Sequence, residues 1–174
     1  RNRAGTWLGH RLAHRWTRRR AAGFRLFPLG QCGRRQGRLP RTDAQRRAIE
    51  LLKGWNADAR GDSAPAAIFE AWFLRLAPTL VGDELGPFVL DTYQGRYSFV
   101  TRFVTNVLSE PAHPSGTDRS HPYDAWCDDV RTEKRETCGD AVSKALSEAV
   151  SDLTTRLGAD MTRWRWDAAH RAVF

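Results

Sequence analysis

Few residues in this 174-residue chain combine the type and the spacing that catalysis needs. Ser120-His121 and Asp124 supply the side-chain types of a nucleophile, a base and an orienting acid. Such a triad is assembled in space, however, so closeness in sequence does not indicate one. Metal-ligating types gather at His113, His121, Cys127 and Cys138, with Asp128 and Asp129 beside them. Zinc sites usually contain close ligand pairs, whereas the gaps here are seven, five and ten residues. The two histidines sit next to Pro114 and Pro122, which reads as loop. Neither a nucleophile-elbow pattern nor a phosphate-binding glycine loop occurs. The sequence therefore assigns no catalytic, cofactor-binding or metal residue.

Other features carry weaker signals. Cys127 and Cys138 are eleven residues apart. That spacing permits a disulfide without requiring one, and two free thiols are the alternative. Near the end, Trp164-x-Trp166 places both indoles on one face if the segment is extended, and His170 falls on the same face. Packing is the ordinary role for both indoles; for His170 a buried, hydrogen-bonded ring is the preferred role and a pocket residue the alternative. Asp83 and Glu84 read as a helix-end turn, and Asp128 and Asp129 as surface charges paired with Arg131 or Arg135.

The elements that would position these residues are mainly helical. Thr42 and Asp43 can cap a helix running to Lys53, stopped at Gly54. Ser63 is a good N-cap, followed by Pro65 in the first turn. Ile68, Phe69, Trp72, Phe73, Leu76 and Leu80 then recur at helical steps, the strongest amphipathic pattern in the chain. A turn is expected over residues 82–87, a helix over 98–108, an irregular loop over 109–123 and a helix over 136–157. The closing Trp-rich segment is expected to turn into a strand. No apolar run reaches the roughly 18 residues of a spanning helix, and no signal peptide can be placed in this segment.

Charge divides the chain. Residues 1–41 hold twelve Arg and no Lys, Asp or Glu, whereas residues 42–174 hold sixteen basic and twenty acidic residues. A break this abrupt marks a boundary between an Arg-rich head and a helical body. The head has the composition of out-of-frame translation of GC-rich DNA, the reading preferred here, or of a disordered extension. A basic arm for nucleic acid is a third reading. It would make the chain a small helical nucleic-acid-binding module, with a helical protein-interaction module as a further option. The acidic body argues against nucleic acid.

Two stretches give a more specific pointer: Asp62-Ser63-Ala64-Pro65-Ala66-Ala67-Ile68-Phe69-Glu70-Ala71-Trp72, and Trp164-Arg165-Trp166-Asp167-Ala168-Ala169-His170. With Trp55-Asn56, residues 80–86, Trp126, Cys138 and Leu157-Gly158, their order and spacing over residues 43–174 resemble the penicillin acylase (penicillin amidase) family of N-terminal-nucleophile hydrolases. Trp72, Trp164, Trp166 and His170 are the structural residues of that resemblance. One departure is Asp167, where the resemblance leads one to expect glycine.

The resemblance implies a parent with a four-layer αββα sandwich and a serine freed by self-cleavage, whose own amino group acts as base. It implies hydrolysis of acyl amides of the penicillin, cephalosporin or acyl-homoserine-lactone type. The matching region would be a helical excursion of the large chain, without nucleophile or oxyanion residue, and so inactive alone. Its partners would be the remaining portions of the precursor and a small acyl-amide substrate, with no membrane. No cofactor is implied in this segment, although calcium occurs in some full-length relatives. The Cys127–Cys138 pattern resembles periplasmic or secreted members. The 64–80 helix would lack the sheet that covers its apolar face, leaving the segment poorly stable alone.

Overall fold

The computed structural model describes residues 42–94, 97–108 and 124–170; the Arg-rich head and the expected loop with His113, Ser120 and His121 lie outside them. Among the described residues all regular structure is helical. Helix α1 is Asp43–Lys53, α2 is Ala64–Gln94, α3 is Tyr97–Leu108, α4 is Cys138–Leu157 and α5 is the single turn Trp166–Ala169. Short 3-10 turns cover Asp124–Cys127 and Met161–Arg163.

Local chemistry sets the helix starts. The Thr42 hydroxyl accepts from the Gln45 backbone N–H while the Gln45 side chain accepts from Thr42 N–H, a reciprocal cap. Gln45 is buried, and its Nε2 reaches across to the Ser143 carbonyl at 3.0 Å, tying α1 to α4. Ser63 Oγ accepts from Ala66 N–H at the start of α2. Thr137 and Asp140 form the same kind of cap on α4, with the Asp140 carboxyl held below its usual range chiefly by the Thr137 N–H.

Helix α2 is the centre of the fold. Its residues Ile68, Trp72, Phe73, Leu76 and Leu80 are almost completely buried. They pack chiefly on α4, whose Ala145, Ala149 and Leu153 are buried in the same core cluster, with α1 and α3 alongside. The expected exposed face is therefore covered within this chain, by a helix rather than a sheet. Because neighbours surround it, α2 is apolar over most of its length. Ala64–Pro87 has the length and apolar composition to span a bilayer, but two-thirds (67%) of its most apolar 18-residue window is buried inside the fold, as in a core helix. Trp72 Nε1 donates to the Val142 carbonyl at 3.2 Å, so the indole is anchored at both its apolar and polar ends.

Two expectations about α2 and the chain end are corrected. The helix runs through Gly82, Asp83, Glu84 and Leu85, and breaks only at Gly86, whose φ of 67° and ψ of 169° kink it before Pro87. Glycine takes that left-handed φ without the Cβ penalty. Over the described residues, which end at 170, the closing segment forms a 3-10 turn, two extended residues and the one-turn helix α5 rather than a strand.

Candidate functional site

The closing segment is built around Trp164. Gly158, with φ 92°, ends α4 and turns the chain back. Asp160 then caps the 161–163 turn by accepting from Thr162 N–H. This delivers Trp164 into the core, where it is 1% exposed and donates Nε1 to the Gly158 carbonyl at 2.7 Å. Trp166 does not share that face. It begins α5 and stacks on His170, with centroids 4.9 Å apart and planes 23° from parallel. The pairing follows from the four-residue step of a helical turn. His170 is exposed, contrary to the buried ring expected. Trp166 Nε1 is buried and has no acceptor among the described residues.

A junction joins this segment to the loop before α2. Asp167 donates its backbone N–H to the Gly61 carbonyl at 3.0 Å. Its carboxylate grips Arg165 through two hydrogen bonds, 2.9 and 2.6 Å. Across the junction, Arg60 pairs with Asp62 at 3.2 Å and holds that carboxyl below its usual range. Asp167 lies within helix α5 without a positive φ, so no left-handed backbone explains a glycine there.

Beside the junction lies an open cleft of about 580 Å³ lined by Arg156, Leu157, Arg163, Arg165 and Ala168. Arg156 is fixed by the Ala169 carbonyl at 2.6 Å and by Asp152 at 3.3 Å. Asp152 also takes Arg75 of α2 at 3.3 Å. These arginines were not singled out from the sequence. The signal was present as Arg156 and Arg163-x-Arg165 on either side of the Gly158 turn, but only the fold brings them together.

At the other end of the molecule, Cys127 and Cys138 are bonded as a disulfide with Cα atoms 4.8 Å apart. The bridged loop is laced with polar contacts. Glu136 N–H donates to Asp128 at 2.8 Å, Asp129 grips Arg131 through two 2.8 Å bonds, and Val130 N–H donates to Asp83 at 2.8 Å. The Arg131 guanidinium holds the Asp129 carboxyl down, to about 2. Glu84 behaves oppositely: partial burial of its carboxyl, a hydrogen bond shared with Asp83 and the nearby negative charges push it up to about 7.

Several described hydroxyls serve the fold. The hydroxyls of Thr79, Thr105, Thr154 and Thr155 donate to carbonyls one turn back. Ser63 is a cap and Ser143 accepts from Gln45. Among the described residues no group of three metal-ligating side chains converges.

Two comparisons with known proteins bear on this segment. The family model described as penicillin amidase matches residues 11–174, which takes in residues 11–41 of the Arg-rich head as well as the helical body. An acyl-homoserine lactone acylase, QuiP, of Pseudomonas syringae pv. tomato is 30% identical over 135 residues, covering 76% of this chain and 16% of the relative. This chain thus spans about a sixth of that relative's length. No solved structure matches it. With nearly its whole length inside the family model, the chain belongs to the penicillin amidase family.

Proposed function

We propose that this chain is a helical part of an enzyme that hydrolyses the amide joining an acyl group to an amine. The observation that carries this is the match to the penicillin amidase model over residues 11–174, supported by the acyl-homoserine lactone acylase relative. The same match supports treating residues 11–41 as part of that enzyme rather than as out-of-frame translation. On this reading the substrates are acyl amides of the penicillin, cephalosporin or acyl-homoserine-lactone type. The nucleophilic serine, the oxyanion-stabilising groups, any calcium and the sheets of an αββα sandwich belong to other parts of the protein. The Cys127–Cys138 bond favours a periplasmic or secreted setting, where disulfides persist.

In this proposal the role of the segment is architectural. Hydroxyls such as those of Ser63, Thr79 and Thr154 serve as caps and backbone tethers, and on this reading the chain alone is inactive. The test compares the product of the complete coding region with the 174-residue chain on a chromogenic acyl amide. Release of the chromophore by the former and none by the latter is the expected result. A complete protein that releases no acyl group overturns the amidase reading. Serine-dependent turnover by the isolated chain overturns the architectural one.

A further inference from the structure

We infer that the cleft between the end of α4 and the 163–168 segment is an oxyanion-binding site built from Arg156, Arg163 and Arg165. Three guanidinium groups line it, accompanied among the described residues by Leu157 and Ala168. Among the described residues no carboxylate is in the lining; Asp152 and Asp167 compensate Arg156 and Arg165 from beside the cleft, and the positive charge without an ion pair is that of Arg163. Two of the three arginines are held in place from behind. Asp167 grips Arg165 through Nε and one Nη, and Asp152 with the Ala169 carbonyl grips Arg156 through its two Nη atoms. A guanidinium carries five N–H groups. Each of these two therefore keeps part of its donor set while its side chain is already ordered, which lowers the entropy lost on binding. The Arg163 backbone N–H donates to the Asp160 carbonyl, but its guanidinium has no hydrogen bond or ion pair among the described residues; the Asp160 carboxylate acts on it only through space. It is the group with most to gain from a ligand.

Guanidinium forks match carboxylate and phosphate oxygens in geometry and charge. The ligand chemistry is therefore an oxyanion, supplied either as a free anion or as an acidic side chain from elsewhere in the larger enzyme. The site stands apart from the hydrolase reading, since it rests on geometry alone. A cleft this open predicts roughly millimolar affinity for a small anion.

The experiment titrates the 174-residue chain with sodium phosphate, and separately with a blocked Glu-Glu dipeptide, against sodium chloride at matched ionic strength. Arginine side-chain NMR signals and tryptophan fluorescence report binding. Saturable shifts at Arg156, Arg163 and Arg165 are expected, weakened about tenfold by Arg163→Gln, the loss of one charge-assisted contact. Arg102→Gln, on α3, leaves them unchanged. Tighter binding of phosphate identifies a free anion as the ligand, and tighter binding of the dipeptide an acidic side chain. Non-saturable responses to both probes, equal responses to chloride, or an Arg163→Gln chain that binds as well as the parent overturn the site.

Discussion

The Asp167 carboxylate occupies the space over the Cα of Gly61. A Cβ built on Gly61 would stand 2.6 Å from Asp167 Oδ2 and 3.1 Å from its Cγ. The same pair is joined by the Asp167 N–H to Gly61 carbonyl bond. Glycine at 61 and aspartate at 167 are therefore a matched pair. The backbone at Gly61 is not left-handed, so space rather than conformation demands the glycine.

That pairing fixes the sign of a double substitution. Gly61→Ala pushes the Asp167 carboxylate off Arg165 and is expected to cost about 1–2 kcal/mol in urea denaturation. In an Asp167→Gly background the clash is gone. There Gly61→Ala should become neutral, or stabilise by about 0.4–1 kcal/mol through the unfolded chain. A double-mutant cycle reads the coupling directly, and equal costs in both backgrounds would refute the pairing.

The disulfide gives a second prediction. It closes a loop across a sequence separation of 11 residues and joins the 124–127 turn to the start of α4. Loop-closure entropy for that length amounts to about 3 kcal/mol. Replacing both Cys127 and Cys138 by Ser should lower stability by roughly 2–3 kcal/mol. The parent chain should lose a similar amount on reduction, whereas the double variant should be insensitive to reductant.

Acidity around the α2 kink gives a third. Glu84 titrates at about 7 in the fold against 4.5 for an ordinary glutamate. A carboxyl raised in this way holds its proton more tightly folded than unfolded. Its contribution is fully present below pH 4.5 and is lost as pH rises to 7. Solvent screening at this exposed residue reduces the size of the effect, not its sign. Stability measured across that window should fall with pH in the parent and flatten in Glu84→Gln. Asp129, held at about 2 by Arg131, acts the other way, losing its contribution as pH falls through the acid range below 3.8.

Some of this was legible in the sequence because the signals are local. Thr42 and Ser63 act on backbone groups three residues away, so their caps could be read directly. The apolar spacing of residues 68–80 located the core face of α2, but not its cover, because α4 lies far along the chain. The run Gly82 to Pro87 has the composition of a turn. Packing on the 124–127 turn and the Asp83 to Val130 bond hold it helical up to Gly86. Over so few residues, Trp164 to His170 fits an alternation of two as well as a step of four. The tertiary contacts of Trp164 decided for the 3-10 turn and helix. The arginine cleft was illegible for a related reason: its members matter through convergence, which requires the Gly158 turn.

The burial of α2 under α4 also orders events during synthesis. Trp72 and the Val142 carbonyl that receives its indole proton are 70 residues apart. At translation rates of about 5–20 residues per second, the Ile68, Trp72 and Leu76 face waits roughly 4–14 seconds for its cover to leave the ribosome. For that interval the nascent chain displays an apolar helix face without its cover, the kind of segment that chaperones hold.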